Sequence, residues 1–386
     1  MSMSVKPFTV HLPQTALADL RERLRNPRWP DEVDGADWNY GTNLGYLKDL
    51  VAYWRDTFDW RAQEAAINGL AHFRAEIDGF GLHFIHERGK GRSPLPLLLT
   101  HGWPDSFLRM MKIIPLLTDP AAHGGASDDA FDVVVPSMPG YGFSDRPSES
   151  GCTSTRIAGL FAQLMTKGLG YDRFAAHGGD WGSGVTEELA RDHAASLVGI
   201  HLTDVPYTHL FTVSPDELSE PERRFLESGK KWQMEEGAYA MIQGTKPQTL
   251  AYGLNDSPVG LAAWIIEKFR TWSDCGGNVE ARFSKDELLS NITLYWATET
   301  INSSIRLYYE DQHHPRKDGD TRIEVPTGVT IFPKDLVRAP REFGERFFNV
   351  QRWTKMPRGG HFAALEEPEL LAEDIRAFFR PLRESV

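Results

Sequence analysis

The sequence predicts an α/β fold: a mostly parallel sheet flanked by helices, with a helical insertion and an N-terminal arm. Three observations predict it. Short runs that are apolar on both faces, at Leu95–Thr100, Asp132–Val135, Arg173–His177 and Leu197–Thr203, alternate with helical patterns, as buried parallel strands and their crossover helices do. Residues 208–318 break that alternation and are helix-rich. Strand signals then return at Val325–Phe332 and Phe348–Met356.

In order along the chain, residues 1–69 read as an arm of helices and loops packed on the core and the insertion. Leu17, Leu20 and Leu24 share one helical face, which Pro27 and Pro30 end. Leu47, Leu50, Val51 and Trp54 make a second apolar face. Residues 70–207 form the first part of the core. It opens with a hairpin, Ala71–Ile77 and Leu82–Glu87, turned through Gly79 and Gly81. Residues 208–318 form a helical cap, in which Leu261–Phe269 and Leu288–Tyr309 are the clearest helical stretches. Residues 319–386 complete the core, and the last helix shows Leu371, Ile375, Phe378 and Phe379 on one face.

Length and composition narrow the function classes. The 386 residues allow two or three domains, at roughly 150 residues each. With 42 Lys plus Arg against 54 Asp plus Glu the net charge is −12, which repels phosphate backbones and excludes a nucleic-acid partner. Cys152 and Cys275 cannot build a disulfide framework, and no pair has metal-ligand spacing. Met1–Pro7 lacks the apolar region of a signal peptide, and apolar runs such as Leu95–Leu99 are too short to span a bilayer. The glycosylation sequons at Asn291 and Asn302 then read as chance. The expectation is a soluble cytoplasmic protein.

The strand Arg173–His177 runs into Gly178-Gly179-Asp180-Trp181-Gly182, and a helix follows. This is the strand–turn–helix context of a nucleophile elbow, G-x-Nuc-x-G, with Asp180 as the nucleophile. The plain alternative is an Asp capping a helix. No G-x-S-x-G occurs in the chain, which disfavours a serine esterase. A carboxylate attacking sp³ carbon forms an ester that water can cleave, whereas a serine would form an inert ether. Asp180 therefore points to epoxides or alkyl halides.

The partners follow from chain order. His101-Gly102-Trp103-Pro104 follows the strand Leu95–Thr100, and the oxyanion hole takes the backbone N–H groups of Trp103 and Trp181. His361, in Gly359-Gly360-His361-Phe362 after the last strand, fits the general base. Asp335, in Pro333-Lys334-Asp335-Leu336, fits the orienting acid, with Glu342 and Glu345 as alternatives.

With these motifs in hand, nearly the whole chain resembles the microsomal-type epoxide hydrolase family, an α/β-hydrolase fold with soluble bacterial and fungal members. The resemblance runs through Phe8–Pro30, Trp38–Trp60, His101–Pro104, His177–Gly182, Gly244–Pro247, Leu254–Glu267, Leu294–Trp296, Phe332–Leu336 and Arg358–Glu369. It implies that two cap tyrosines, matching Tyr239 and Tyr308, bind the epoxide oxygen. By residue type alone Tyr295, Tyr309 and Tyr252 are close rivals. Some members use Glu where Asp335 stands, and some carry an N-terminal membrane anchor, which is not carried over to this chain. The implied activity is cofactor-independent and metal-independent conversion of a small apolar epoxide and water to a vicinal diol. A haloalkane dehalogenase and an inactive binding protein on the same scaffold are the alternatives. A homodimer through cap or arm is left open.

Overall fold

A computed structural model describes residues 4–316 and 321–385. Among them, nine strands form one sheet. They are β1 (Val5–Pro7), β2 (His72–Ile77), β3 (Phe80–Glu87), β4 (Leu95–Thr100), β5 (Phe131–Pro136), β6 (Phe174–Gly178), β7 (Leu197–Leu202), β8 (Ile323–Ile331) and β9 (Phe348–Lys355). Their order across the sheet is β1-β2-β3-β5-β4-β6-β7-β8-β9. The β1–β2, β2–β3 and β3–β5 pairs are antiparallel, and every pair from β5 through β9 is parallel. Leu97, Leu98 and Leu99 at the centre are buried completely, which is why that strand reads as unbroken apolar sequence.

The helices of the arm are α1 (Gln14–Arg25), α2 (Leu44–Asp56) and α3 (Trp60–Ile67). The first half of the core carries α4 (Ile113–Thr118), α5 (Ser154–Gln163) and α6 (Trp181–Asp192). Six helices follow between β7 and β8: α7 (Glu220–Glu235), α8 (Ala238–Thr245), α9 (Pro247–Asp256), α10 (Pro258–Trp272), α11 (Lys285–Thr298) and α12 (Ile301–His313). The last are α13 (Arg341–Phe347), α14 (Ala363–Glu366) and α15 (Pro368–Phe379). β7 and β8 are sheet neighbours although these six helices separate them in sequence. The expected cap–core boundary at 318/319 lies outside the described residues.

The arm is tied to the cap. Leu17, Leu20 and Leu24 of α1 and Leu47, Leu50, Val51 and Trp54 of α2 are all buried. A buried Leu contributes about 1.5–3 kcal/mol relative to exposure. The buried Trp54 Nε1 donates to Thr293 Oγ1 at 2.9 Å. Thr42 Oγ1 donates to the Ala263 carbonyl at 2.7 Å, and Tyr53 Oη donates to Asp286 at 2.9 Å.

Two local readings are corrected. Leu288–Tyr309 is not one helix. Glu299 takes a left-handed conformation (φ 52°) and ends α11. Thr298 Oγ1 donates to the Leu294 carbonyl and meets Thr300 Oγ1. The apolar pattern runs through the break because Leu294 and Tyr295 on one helix and Ile301 and Ile305 on the next are all buried. The strand β1 carries no strand signal in the sequence: it is three residues long and sits at the sheet edge, where Pro7 is tolerated. No helix among the described residues is long and apolar enough to cross a membrane. Asn291, in one of the sequons, is buried and its amide donates to the Pro104 carbonyl at 2.7 Å.

Candidate active site

The turn between β6 and α6 presents Asp180 by steric compression. Asp180 has φ 58° and ψ −131°, a conformation that side-chain-bearing residues rarely adopt. Its neighbours must be small. A Cβ on Gly178 would lie 2.0 Å from the Gly182 carbonyl oxygen, and one on Gly182 would lie 2.2 Å from that of Thr100. Gly102 faces the Asp180 side chain so closely that a Cβ there would fall 2.3 Å from Oδ1.

That approach lets the Trp103 N–H donate to Asp180 Oδ1 at 2.7 Å. The Trp103–Pro104 bond is cis. Trp181, the first residue of α6, follows Asp180 directly. On the other side, His361 Nε2 stands 3.3 Å from Asp180 Oδ2, an ion-pair contact off the axis of a hydrogen bond. His361 Nδ1 meets Asp335 Oδ1 at 2.8 Å. Neither alternative acid is near: Glu345 pairs with Arg341, and Glu342 accepts from Ser219 Oγ.

The cap closes the site with aromatic rings. Tyr239 of α8 stacks on Trp103 (centroids 5.4 Å apart, 7° between planes), and Tyr308 of α12 stands edge-on to Trp181 at 4.8 Å. The two tyrosine rings lie 5.9 Å apart. Their rivals are elsewhere. Tyr295 is buried and donates to the Asp105 carbonyl, Tyr309 stacks on His313, and Tyr252 is 73% exposed. Lys268 of α10 lies over the Tyr239 ring, its Nζ 5.0 Å from the centroid, and also pairs with Glu267. Among the described residues, no group of three or more His, Cys, Asp or Glu side chains is placed to hold a metal ion.

Two family models match. The one described as "Epoxide hydrolase N terminus" covers residues 5–110, and the one described as "alpha/beta hydrolase fold" covers residues 96–249. Epoxide hydrolase 1 of Sus scrofa is 40% identical over 402 residues, spanning 97% of this chain and 88% of that protein. The solved epoxide hydrolase of Aspergillus niger superposes with a TM-score of 0.85 at 32% identity, covering 99% of this chain and 97% of that one. The chain belongs to the epoxide hydrolase family. The crystal structure of juvenile hormone epoxide hydrolase from the silkworm Bombyx mori is similar to the same degree, with a TM-score of 0.85 at 31% identity over 99% of this chain and 95% of that one.

The electrostatics of this epoxide hydrolase family member separate its ionisable groups. Burial opposes a charge on His361, but Asp335 and Asp180 outweigh it and push the imidazole up to about 10. Burial, with Tyr239 and Asp180 nearby, raises Tyr308 well above the ordinary phenol value, so its hydroxyl keeps its proton. Sequence reading missed the groups beneath these. Asp204, just after β7, is half-buried. It accepts the Asp180 N–H at 3.1 Å and Ser183 Oγ at 2.6 Å. Burial and the Asp335 charge push it up to about 7. Its only sequence signal was an acidic residue at the carboxyl end of a predicted strand.

Arg109 is the second such group. Its guanidinium is buried, donates to Asp105 Oδ2 at 2.6 Å, and supports the His361 carbonyl at 2.6 Å. Burial alone would raise Asp105, yet Arg109 and His101 pull it down to about 2. The carboxyl therefore contributes stability that is complete above its ordinary value near pH 4 and is lost as pH falls through about 2. R109M takes the guanidinium away from that buried charge. It is expected to lose about 3–5 kcal/mol in denaturant unfolding at neutral pH, and a loss under 1 kcal/mol would mean the pair is not holding this corner together.

Proposed function

We propose that this protein hydrolyses an apolar epoxide to a vicinal diol through a covalent ester on Asp180. What carries the reading is one juxtaposition: a carboxylate, not a serine, sits at the strained turn, with His361 and Asp335 on one side and two cap phenols on the other. Tyr239 and Tyr308 hydrogen-bond the epoxide oxygen. Asp180 Oδ2 attacks a ring carbon, because Oδ1 is already held by the Trp103 N–H. The ring C–O pair passes to oxygen, which takes a proton from a tyrosine hydroxyl.

Water then attacks the ester carbonyl and gives its proton to His361 Nε2, while Asp335 holds the imidazole through Nδ1. The Trp103 and Trp181 N–H groups hold the oxyanion. Collapse breaks the acyl C–O bond, the diol leaves as its oxygen takes the proton back from His361, and the water's second proton, left on the Asp180 carboxyl, passes to the tyrosinate and restores the phenol. Esterification removes the Asp180 charge and with it part of the pull on the His361 proton. The imidazolium then releases its proton to solvent and stands ready as the base for the water step. The paired phenols favour epoxide over halide, since a ring-opened alkoxide needs a proton and a departing halide does not.

Single-turnover hydrolysis in ¹⁸O-water tests the route. The first diol is expected to carry unlabelled oxygen from Asp180, with the label appearing in the Asp180 carboxyl. Full labelling of the first diol would exclude the ester. Residues 1–69 act as arm, 70–207 and 319–386 as one core, and 208–318 as cap. The adjacency of β7 and β8 supports that division. A cytoplasmic location agrees with two buried free thiols, Cys152 and Cys275.

A further inference from the structure

Glu366 closes α14 five residues after His361 and is buried. Its carboxylate collects three backbone N–H groups. Oε1 accepts from Phe362 at 2.9 Å, and Oε2 accepts from Gly360 at 3.0 Å and Asp274 at 2.8 Å. The first two flank His361 on both sides, and the third belongs to the cap, just beyond α10. The seam is closed further by the His361 N–H, which donates to the Trp272 carbonyl at 2.8 Å. Gly360 fits only without a side chain, since a Cβ would lie 2.7 Å from the Trp272 oxygen and 2.8 Å from the Asp274 nitrogen. The Trp272 ring in turn meets both His361 (5.3 Å) and Tyr239 (5.0 Å).

We propose that Glu366 is a positioning residue for the base: it fixes the backbone on both sides of His361 and ties that loop to the backbone at Asp274. The inference rests on the ester route above. Three donors need three acceptor lone pairs, which a carboxylate supplies and a carboxamide does not. Burial pushes the Glu366 carboxyl up to about 7, and the N–H groups act against that rise. In Glu366→Gln the amide NH₂ must face at least one of the N–H donors, so the loop shifts. A displacement of that kind slows the water step, because His361 must align a water against the ester carbonyl. It leaves the attack by Asp180 alone.

The test is rapid-quench mass spectrometry of E366Q with excess epoxide, beside steady-state rates and thermal unfolding. The expected result is a kcat lowered about 10- to 100-fold, ester accumulating on Asp180, and ester formation within about twofold of wild type. Glu366→Asp, which keeps the charge but retracts it by one methylene, should show the same split less strongly, and it supplies the readout where E366Q does not fold. Unchanged kcat in a folded variant would overturn the inference. A parallel fall of ester formation and ester hydrolysis, or failure of both variants to fold, would make Glu366 a stability residue only and would overturn it too. H361Q is the control: if that variant traps no ester, the covalent route has failed rather than the role of Glu366.

Discussion

D180A is expected to abolish epoxide turnover, with kcat below about 10⁻⁴ of wild type. The carboxylate is the sole nucleophile in the proposed route, and the residual rate is what the tyrosines and binding alone supply. The fold should survive, because the turn is shaped by the small residues at 178 and 182 and the cost of φ 58° is already present with Asp. D180N is the harder control: an amide in place of the carboxylate, facing His361, is inactive until deamidated, so its activity should grow with storage and track the mass of the Asp180 peptide. Turnover by freshly prepared D180A within tenfold of wild type would end the covalent reading. Removing Asp180 also takes away one of the two carboxylates that hold His361 near 10. The imidazole of D180A should therefore titrate lower than that of wild type, as followed by NMR of the His361 ring.

H361Q is expected to split the reaction. Asp180 keeps its contact with the Trp103 N–H, so the first attack proceeds and one equivalent of epoxide is consumed. The ester then persists, since a Gln at 361 takes no proton from water, and steady-state turnover falls by about 10²–10⁴. The signature is a stoichiometric burst, with the alkyl adduct located on the peptide containing Asp180. Linear turnover without adduct would remove His361 from the water step. Asp335 should behave as a weaker version of the same defect, because its bond to Nδ1 orients and charges the ring but takes no proton itself.

How much of this was legible depended on how local the cause was. Asp180 could be read because glycines at 178 and 182, a strand before and a helix after are all written within a few residues. Asp335 and His361 followed from the order of the strands, and only the folded loop separates Asp335 from Glu342 and Glu345, which sit on the exposed face of α13. Tyr239 and Tyr308 carry no local mark. Their position is decided by how α8 and α12 pack over the sheet, and they were reached through a family resemblance. Asp204, Arg109 and Glu366 act on backbone groups from buried positions, and nothing in a one-dimensional pattern distinguishes a carboxylate that accepts N–H groups from one that faces water. The fold showed the same division. Strands buried on both faces declared themselves, while β1 and the break at Glu299 depend on edge position and on a single left-handed residue.

The bonds from Thr42 and α2 to α10 and α11 bear on how molecules pass in and out. Thr42, Tyr53 and Trp54 fasten the cap from outside, while Glu366 fastens it from within. A cap held at both ends does not swing like a lid. Traffic is then expected to run through gaps beside a fixed cap. Bulk in a substrate is then felt first as slow entry and slow escape, so large epoxides should be separated from small ones by rates of passage more than by strength of binding.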